Sequence, residues 1–467
     1  MPFKFFGGVH PNDKKAPANA CASIPTTPPP QVVIPMSLHI GAPCTPLVAV
    51  GDTVTLGQKI GDVGAPVSAP IHASVSGKVV AVEQRLHSNG AMVNSVVIEN
   101  DGLDTLCDTI KPRTEEEVSA LSGDEIAAIV RECGVVGMGG ATFPTGFKIT
   151  SGKGKVNTVI INGAECEPYI TSDHRTMLEH PDEVLSGIRL LMRACGVDKA
   201  TFAIETNKAD AIALLRTKKP EDMGIDILPL KCRYPQGAEK QLVQTVTGKE
   251  IPPGGLPAAV GCAVFNTFTA YCVHRAVYEN YPAVERVVTV SGSAIAEPKN
   301  LLIRVGTPLR YVFQLAGGFR AEPKKILMGG PMMGNAMFTL DVGITKGTNA
   351  LLAFCEDEDQ TVENPACIRC GRCVEVCPMH LLPLYMYIAE RSSNFLFMER
   401  LHLTDCIECG ACTYNCPGRL HLTHSFRTGK AKIQARNAAA KARAEAEKKK
   451  AEAEQAEKEA AAAKEAK

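Results

Sequence analysis

Two cysteine runs constrain this chain more than any other feature. The first reads Cys367-x-x-Cys370-x-x-Cys373-x-x-x-Cys377-Pro378, and the same spacing returns as Cys406-x-x-Cys409-x-x-Cys412-x-x-x-Cys416-Pro417. Three thiolates in this spacing wrap a short loop around one face of an iron–sulfur cubane. The fourth, followed by proline, points away and ligates the other cluster of a pair. The spacing therefore assigns Cys367, Cys370, Cys373 and Cys416 to one 4Fe–4S cluster, and Cys406, Cys409, Cys412 and Cys377 to a second. Zinc sites use two C-x-x-C pairs rather than three cysteines and a Cys-Pro, and disulfide frameworks suit short secreted chains. Two clusters mean one-electron traffic, so the rest of the chain has to supply or receive electrons.

At 467 residues the chain can hold several domains with proper cores. Lys+Arg and Asp+Glu both total 50, and no basic stripe stands outside the C-terminal tail, which argues against nucleic acid as a partner. The ten cysteines outside the two runs (Cys21, Cys44, Cys107, Cys133, Cys166, Cys195, Cys232, Cys262, Cys272 and Cys355) show no pairing pattern, so a reducing, cytoplasmic compartment is expected. Met1-Pro2-Phe3-Lys4-Phe5-Phe6 carries no secretory pattern. The one long uncharged run, Leu256 to Val273, holds Pro257, Gly261 and several polar residues. It reads as buried loop and helix rather than a membrane span.

In chain order the expectation is a multidomain α/β protein. Residues 1–30 form an extended N-terminal segment. Residues 31–100 are short glycine-punctuated strands, and Gly51-Asp52-x-Val54-x-x-Gly57 followed by Val75-Ser76-Gly77-x-Val79 resembles a biotinyl- or lipoyl-type barrel-sandwich domain. No lysine lies between Ile60 and Gly77, so it is expected to be unmodified scaffold. Residues 101–120 read as an acidic linker. Residues 121–281 alternate strand and helix: a capping box at Ser122-x-x-Glu125 opens a helix, then come strands near 156–161, 199–205 and 225–231, with helices over 173–194, 207–218 and 237–247. That pattern predicts a Rossmann-like, mainly parallel sheet with a ligand crevice at the carboxyl ends of its strands. Residues 285–345 are a small α+β module of short strands, 350–426 a helical ferredoxin-type two-cluster domain, and 427–467 an exposed Ala/Lys/Glu-rich helical tail.

Inside the α/β region, Gly137-Met138-Gly139-Gly140-Ala141-Thr142-Phe143-Pro144-Thr145-Gly146-Phe147-Lys148 lets backbone N–H groups approach a phosphate or a flat ring closely. Its spacing is not the dinucleotide fingerprint. The run, with its Phe-Pro-Thr-Gly-x-Lys ending, resembles the flavin loop in the flavoprotein subunit of respiratory complex I. Asn162-Gly163-x-Glu165-x-Glu167-Pro168, Asp173-x-Arg175, Gly237-Ala238-Glu239 and Asn266-Thr267-x-Thr269 resemble that family's other segments. Here Ala164 and Cys166 replace its Asp and Ser, and the Glu of its last motif is missing. That family also has one cysteine motif rather than two. Gly7-Gly8-Val9-His10-Pro11, the barrel-sandwich segment, Ala164-Glu165-Cys166-Glu167-Pro168-Tyr169-Ile170, Tyr234-Pro235-x-Gly237-Ala238-Glu239, Met328-Gly329-Gly330-Pro331-Met332-Met333-Gly334 and the double cysteine motif occur together and in order. In that combination the chain resembles the RnfC family of Rnf electron-transport complexes.

The resemblance implies FMN, NAD(H) and two 4Fe–4S clusters, a soluble-ligand-binding β-grasp module at 285–345, and peripheral docking on the cytoplasmic face of the inner membrane. It implies partner subunits through which ferredoxin is reached, in either electron direction. A hydride donor and one-electron clusters need a flavin between them. The amides of Gly137, Gly139 and Gly140 and the Lys148 ammonium are expected at the FMN phosphate and ring. Asn162, Asn266 and Thr269 are expected at its ribityl and phosphate, Phe143 and Phe147 as stacking rings, and Glu165 and Glu167 on NADH hydroxyls or amide. Hydride transfer requires no catalytic acid or base, and none is assigned. Two other readings compete: a soluble cobalamin reductase of a microcompartment, and an iron–sulfur relay without flavin.

Overall fold

The computed structural model describes residues 2–356, 362 and 364–465. The chain divides into two compact units, Met1–Thr361 and Val362–Lys467.

In the first unit a four-stranded antiparallel sheet runs in the order Gln31–Pro35, Met92–Asn100, Gly77–Leu86, Thr53–Val54, beside a three-stranded sheet of Thr45–Pro46, Lys59–Asp62 and Ile71–His72. Val32, Ile34, Ile60, Ile71, Val79, Val96 and Ile98 from both sheets fill one core. Glu115–Ala120 follows as a short helix, capped reciprocally by Thr114 and Glu117. The acidic stretch read as linker therefore carries a capping box of its own.

The α/β region holds strands β1 (Thr158–Gly163), β2 (Ala200–Glu205), β3 (Ile225–Leu230) and β4 (Cys262–Asn266), all parallel, in the order β3-β2-β1-β4. Its helices are α1 (Gly123–Glu132), α2 (Thr145–Gly152), α3 (Ser172–Glu179), α4 (Pro181–Cys195), α5 (Ala209–Lys218), α6 (Glu239–Thr247) and α7 (Thr267–Glu279). Both faces of the sheet are covered, so alternate residues along one strand feed different cores. Val159 and Ile161 pack with α1, α4 and α7, while Ile160 packs with Leu242 and Val243 of α6.

Two expectations are corrected. The helix over 173–194 is two helices, because Pro181 bars His180 from helical geometry and His180 takes φ −129° and ψ 47°. Strand β4 lies in the uncharged run read as loop and helix; a short apolar run cannot be told from a helix segment by periodicity. This strand matters most, because the chain places β2 and β3 on one side of β1 and returns to place β4 on the other.

The module after the α/β region contains β5 (Glu285–Ser291), β6 (Lys299–Arg304), α8 (Leu309–Leu315), β7 (Lys325–Met328), β8 (Asn335–Ala336) and β9 (Ala350–Phe354). Its sheet order is β6-β5-β9-β7-β8, with Ile24–Pro25 pairing parallel to β6 at the edge. The N-terminal segment crosses the carboxyl ends of the parallel sheet. Val9 pairs with Tyr234, Tyr169 N donates to Asp13 O at 2.7 Å, and buried Lys15 Nζ donates to the carbonyls of Glu165 and Glu167, each at 3.0 Å.

In the second unit each cysteine loop is followed by one helical turn, Arg372–Glu375 or Ala411–Tyr414. Helices α9 (Pro383–Arg391) and Phe395–Arg400 lie between the motifs, and α10 (Leu422–Glu465) ends the chain. The long helix starts well before the charged tail, and its first turns place Leu422, Phe426 and Ile433 in a core with Met386, Met398 and Leu403. Among the described residues no helix is long and apolar enough to cross a membrane.

Helices α4 and α7 meet at Gly187, where an added Cβ would stand 1.8 Å from Ala270 O. Gly187→Ala is expected to force the helices apart and cost about 1–3 kcal/mol, the usual range for overpacking. A urea titration reads this as a lowered midpoint, and an unchanged midpoint would show that the crossing can relax.

Candidate functional site

Between β1 and β4 the strand order reverses, and ligands of open α/β sheets bind outside the carboxyl ends at such a point. Asn162 and Asn266 face each other in register at those two ends. Asn162 Nδ2 donates to Gly237 O at 2.8 Å. Asn266 caps α7: its Oδ1 accepts from Phe268 N at 2.9 Å and from Thr269 N at 3.3 Å. Its Nδ2 donates to Asp173 Oδ2 at 2.6 Å. Such a cap is worth about 1 kcal/mol, and here it also fixes which way the amide points.

The glycine loop lies against these residues. Gly137 N donates to Phe143 O at 2.8 Å, and Val136 bridges to Pro144, so residues 137–143 form a closed excursion leading into α2. Thr269 pins its base: Oγ1 accepts from Met138 N at 2.9 Å and donates to Val136 O at 3.2 Å. Met138 is buried, while Gly139, Gly140 and Ala141 are exposed. The two exposed glycines differ. A Cβ on Gly139 would come within 2.6 Å of Asn266 Nδ2, so packing against the strand end demands glycine there. A Cβ on Gly140 would meet nothing within 4 Å, and Gly140 does not have a left-handed φ. The folded chain gives no internal reason for that glycine; an approaching ligand does.

Lys148 on α2 sends Nζ to Val264 O at 2.9 Å and Glu239 Oε1 at 3.1 Å, above the Phe265 ring. Glu239 was not among the expected contact residues, and its only sequence signal was the Gly237-Ala238-Glu239 resemblance. The rings of Phe143 and Phe147 lie 5.9 Å apart at 54°, both partly exposed. The run 137–148, which carries the loop, both rings and Lys148, is thus joined by Asn162 and Asn266 from later strands.

Three of the expected contact residues have protein partners of their own. Thr269 is fully buried and serves the loop's backbone. Glu165 turns inward: Oε1 accepts from Asp173 N at 2.6 Å and Ser172 Oγ at 3.3 Å. Glu167 accepts from Met332 N at 3.0 Å and Met333 N at 2.9 Å, across to the loop between β7 and β8. Gly330 leaves room for that carboxylate, since a Cβ there would fall 2.2 Å from its Oε2. Glu165, 4.0 Å from Lys15, joins a buried group of charges formed by Asp173, Glu205, Lys15, Lys208 and Arg286. Burial pushes Glu165 and Asp173 up, with Lys15 chiefly opposing the shift on Glu165 and Arg286 that on Asp173. Arg286 is completely buried over the Phe268 ring, with Asp173 its leading opposite charge.

In the second unit Cys377, Cys406, Cys409 and Cys412 line one cavity with Leu381, Met386 and Phe426. The fourth cysteine of the first run is thus brought to three of the second. Burial pushes the thiols up, Cys406 to about 11 and Cys409 to about 12, and neighbouring sulfurs add to it. Burial, and then crowding by Cys406, Cys409 and Cys377, pushes Cys412 well up too. Four sulfurs that resist ionisation together fit a positively charged metal core, which inverts that preference. Cys373 and Cys416 are charge neighbours in the other set, whose Cys367 and Cys370 are exposed.

Four family models match the chain: the RnfC barrel sandwich hybrid domain over residues 3–103, the Nuo51 FMN-binding domain over 130–275, the SLBB domain over 287–336 and the 4Fe-4S dicluster domain over 366–420. The C subunit of the Na(+)-translocating ferredoxin:NAD(+) oxidoreductase complex of Acetobacterium woodii is 45% identical, over 92% of this chain and 97% of the relative. The C subunit of the proton-translocating ferredoxin:NAD(+) oxidoreductase complex of Clostridium ljungdahlii is 44% identical, over 84% and 85%. The C subunit of the ion-translocating oxidoreductase complex of Rhodobacter capsulatus is 41% identical, over 93% and 84%.

Two outcomes are expected. Gly140→Val should leave the unfolding midpoint within about 0.5 kcal/mol of the parent yet sharply reduce flavin retained after gel filtration. Retained flavin would remove the reason for that glycine. Burial raises Glu167 from its ordinary 4.5 to about 7. Its contribution to stability is therefore fully present below 4.5 and is lost as pH rises through about 7. The stability difference between parent and Glu167→Gln should decline across that window by on the order of 3 kcal/mol. Urea titrations over a pH series measure it, and a difference that grows with pH would reverse the sign assigned.

Proposed function

Because the chain belongs to the RnfC family, the C subunits of ion-translocating ferredoxin:NAD(+) oxidoreductase complexes, we propose that it is the NAD(H)-facing, flavin- and iron–sulfur-bearing subunit of such a complex. It is an oxidoreductase subunit that joins NAD(H) to ferredoxin through partner subunits, in either electron direction. It sits peripherally on the membrane complex, on the cytoplasmic side of the inner membrane where NAD(H) is found. Ion translocation falls to partners, since no described helix here spans a bilayer. The names of the relatives lend nothing to the cobalamin-reductase reading, and the intact glycine loop speaks against a flavin-free relay.

When bound, FMN exchanges an electron pair for the single electrons that 4Fe–4S clusters carry. The chain's residues do the holding. The exposed backbone of Gly139, Gly140 and Ala141 offers N–H groups to a phosphate, and Lys148 adds a cation whose direction Glu239 and Val264 O fix. Asn162, Asn266 and Thr269 hold the frame on which the loop rests. Phe143 and Phe147 stand beside the loop as stacking surfaces. Glu165 and Glu167 act through the backbone they anchor. The eight motif cysteines take the clusters as two crossed sets of four. The observation that carries the reading is the exposed, unobstructed Gly140, next in sequence to the Gly139 that packs against Asn266 at the strand-order reversal.

Full-length chain purified without oxygen should contain FMN and two reducible clusters, and NADH should bleach the flavin absorbance. Lys148→Ala should lose flavin during purification while keeping iron and sulfide. Cys409→Ala should remove one cluster's spin signal and spare flavin bleaching. Protein that binds no flavin and is not reduced by NADH would falsify this function.

A further inference from the structure

The two cysteine loops repeat one backbone and differ in what lies over them. Arg369 and Glu408 occupy equivalent positions with φ 54° and 56°, and Gly371 and Gly410 follow with φ 78° and 77°. In each loop the N–H of the residue two after the first cysteine donates to that cysteine's sulfur, at 3.3 Å in both. The second loop is covered by α10. Arg427 Nε and Lys430 Nζ hold Glu408 at 3.2 and 2.7 Å, and Lys430 also donates to Cys406 O at 2.5 Å. Its Cys409 and Cys412 are buried.

At the first loop the charge is reversed, and among the described residues no helix pairs with it as α10 does with the second. Arg369 stands where the second loop has Glu408, and Arg372 where it has Ala411. Both arginines are exposed, and among the described residues neither has an ion-pair partner. Ile368, between two cluster ligands, is 66% exposed. Helix α9 begins beside this loop, with the Leu384 backbone on the Cys373 sulfur. It carries an exposed apolar stripe at helical spacing: Leu382 at 42%, Tyr385 at 50% and Ile388 at 49%.

We propose that this face, Ile368, Arg369 and Arg372 with the Leu382–Tyr385–Ile388 stripe, docks an acidic protein that carries its own one-electron centre. Within one chain, the covered loop shows the rule: an acidic loop is capped by two cations. The uncovered loop is basic, so its cap has to bring carboxylates, and an apolar stripe beside them extends the contact. A cluster whose ligand loop is open exchanges electrons only with a centre brought close, which makes the occupant a redox protein rather than a structural one. One electron passes between the two centres; no bond forms or breaks and no proton moves. The proposal rests on the cluster reading given above.

The test uses full-length, cluster-loaded chain in its oxidised form and, as probe, a pre-reduced acidic two-cluster ferredoxin, with one-electron transfer followed by stopped-flow absorbance. The second-order rate should fall steeply as salt is raised, as opposite charges at contact require. Arg369→Glu/Arg372→Glu should slow it roughly tenfold at low salt, while Lys78→Glu/Arg85→Glu, an equal change in net charge on exposed barrel residues, should leave it near the parent rate. Spin signals and iron content report the clusters separately. Missing clusters in the parent would sink the cluster reading itself; intact clusters with a rate that ignores salt, or that responds equally to both double variants, would overturn only the docking face. If charge reversal costs the first cluster, Arg369→Gln/Arg372→Gln and the parent's salt dependence decide in its place.

Discussion

One side chain, Asn266, holds the flavin end of the molecule together. It terminates β4, caps α7, fixes on Asp173 of α3 and presses its amide against Gly139. Thr269, which α7 can offer only because the helix starts where it does, then pins Met138 and Val136. The loop's shape is thus set by a strand end and a helix start rather than by the loop itself. Asp173 leans in turn on Glu165 and Arg286, so a buried ionic group from three parts of the first unit stands behind a backbone that stays open to solvent. Such groups confer little net stability; their service here is to fix direction.

Much of this was legible in the amino-acid sequence, for identifiable reasons. The cysteine runs carry their geometry in their spacing. Glycine and proline marked the barrel strands, and a capping box marked α1. What stayed hidden depended on tertiary context. Strand β4 is five apolar or neutral residues, short enough to read as helix. Pro181 divides one amphipathic stretch by acting on His180. Glu165 and Glu167, close together in a motif, suggested ligand contacts, but sequence does not tell whether a carboxylate meets a ligand or a neighbouring backbone amide. The cover over one cysteine loop and not the other was equally invisible, since the two loops are nearly the same word.

The contrast between the two ends of the chain is instructive. At the flavin end the glycine loop leaves its main chain exposed and is held from behind. At the cluster end it uses cysteines to enclose, and the enclosure is asymmetric: one set deep beneath α10, the other at the surface. Electron carriers need both conditions, a buried centre shielded from water and an edge that a second protein can reach.

The N-terminal segment adds a temporal constraint. Lys15 finds its acceptors on residues 165 to 170, and Val9 its partner at Tyr234. During synthesis the first residues emerge with nowhere to dock, and at ordinary elongation rates they wait roughly ten seconds or longer for those partners. A buried lysine is therefore made well before the carbonyls that hold it. Any extension fused ahead of Phe3 has to remain out of the way while the nascent sheet closes beneath it.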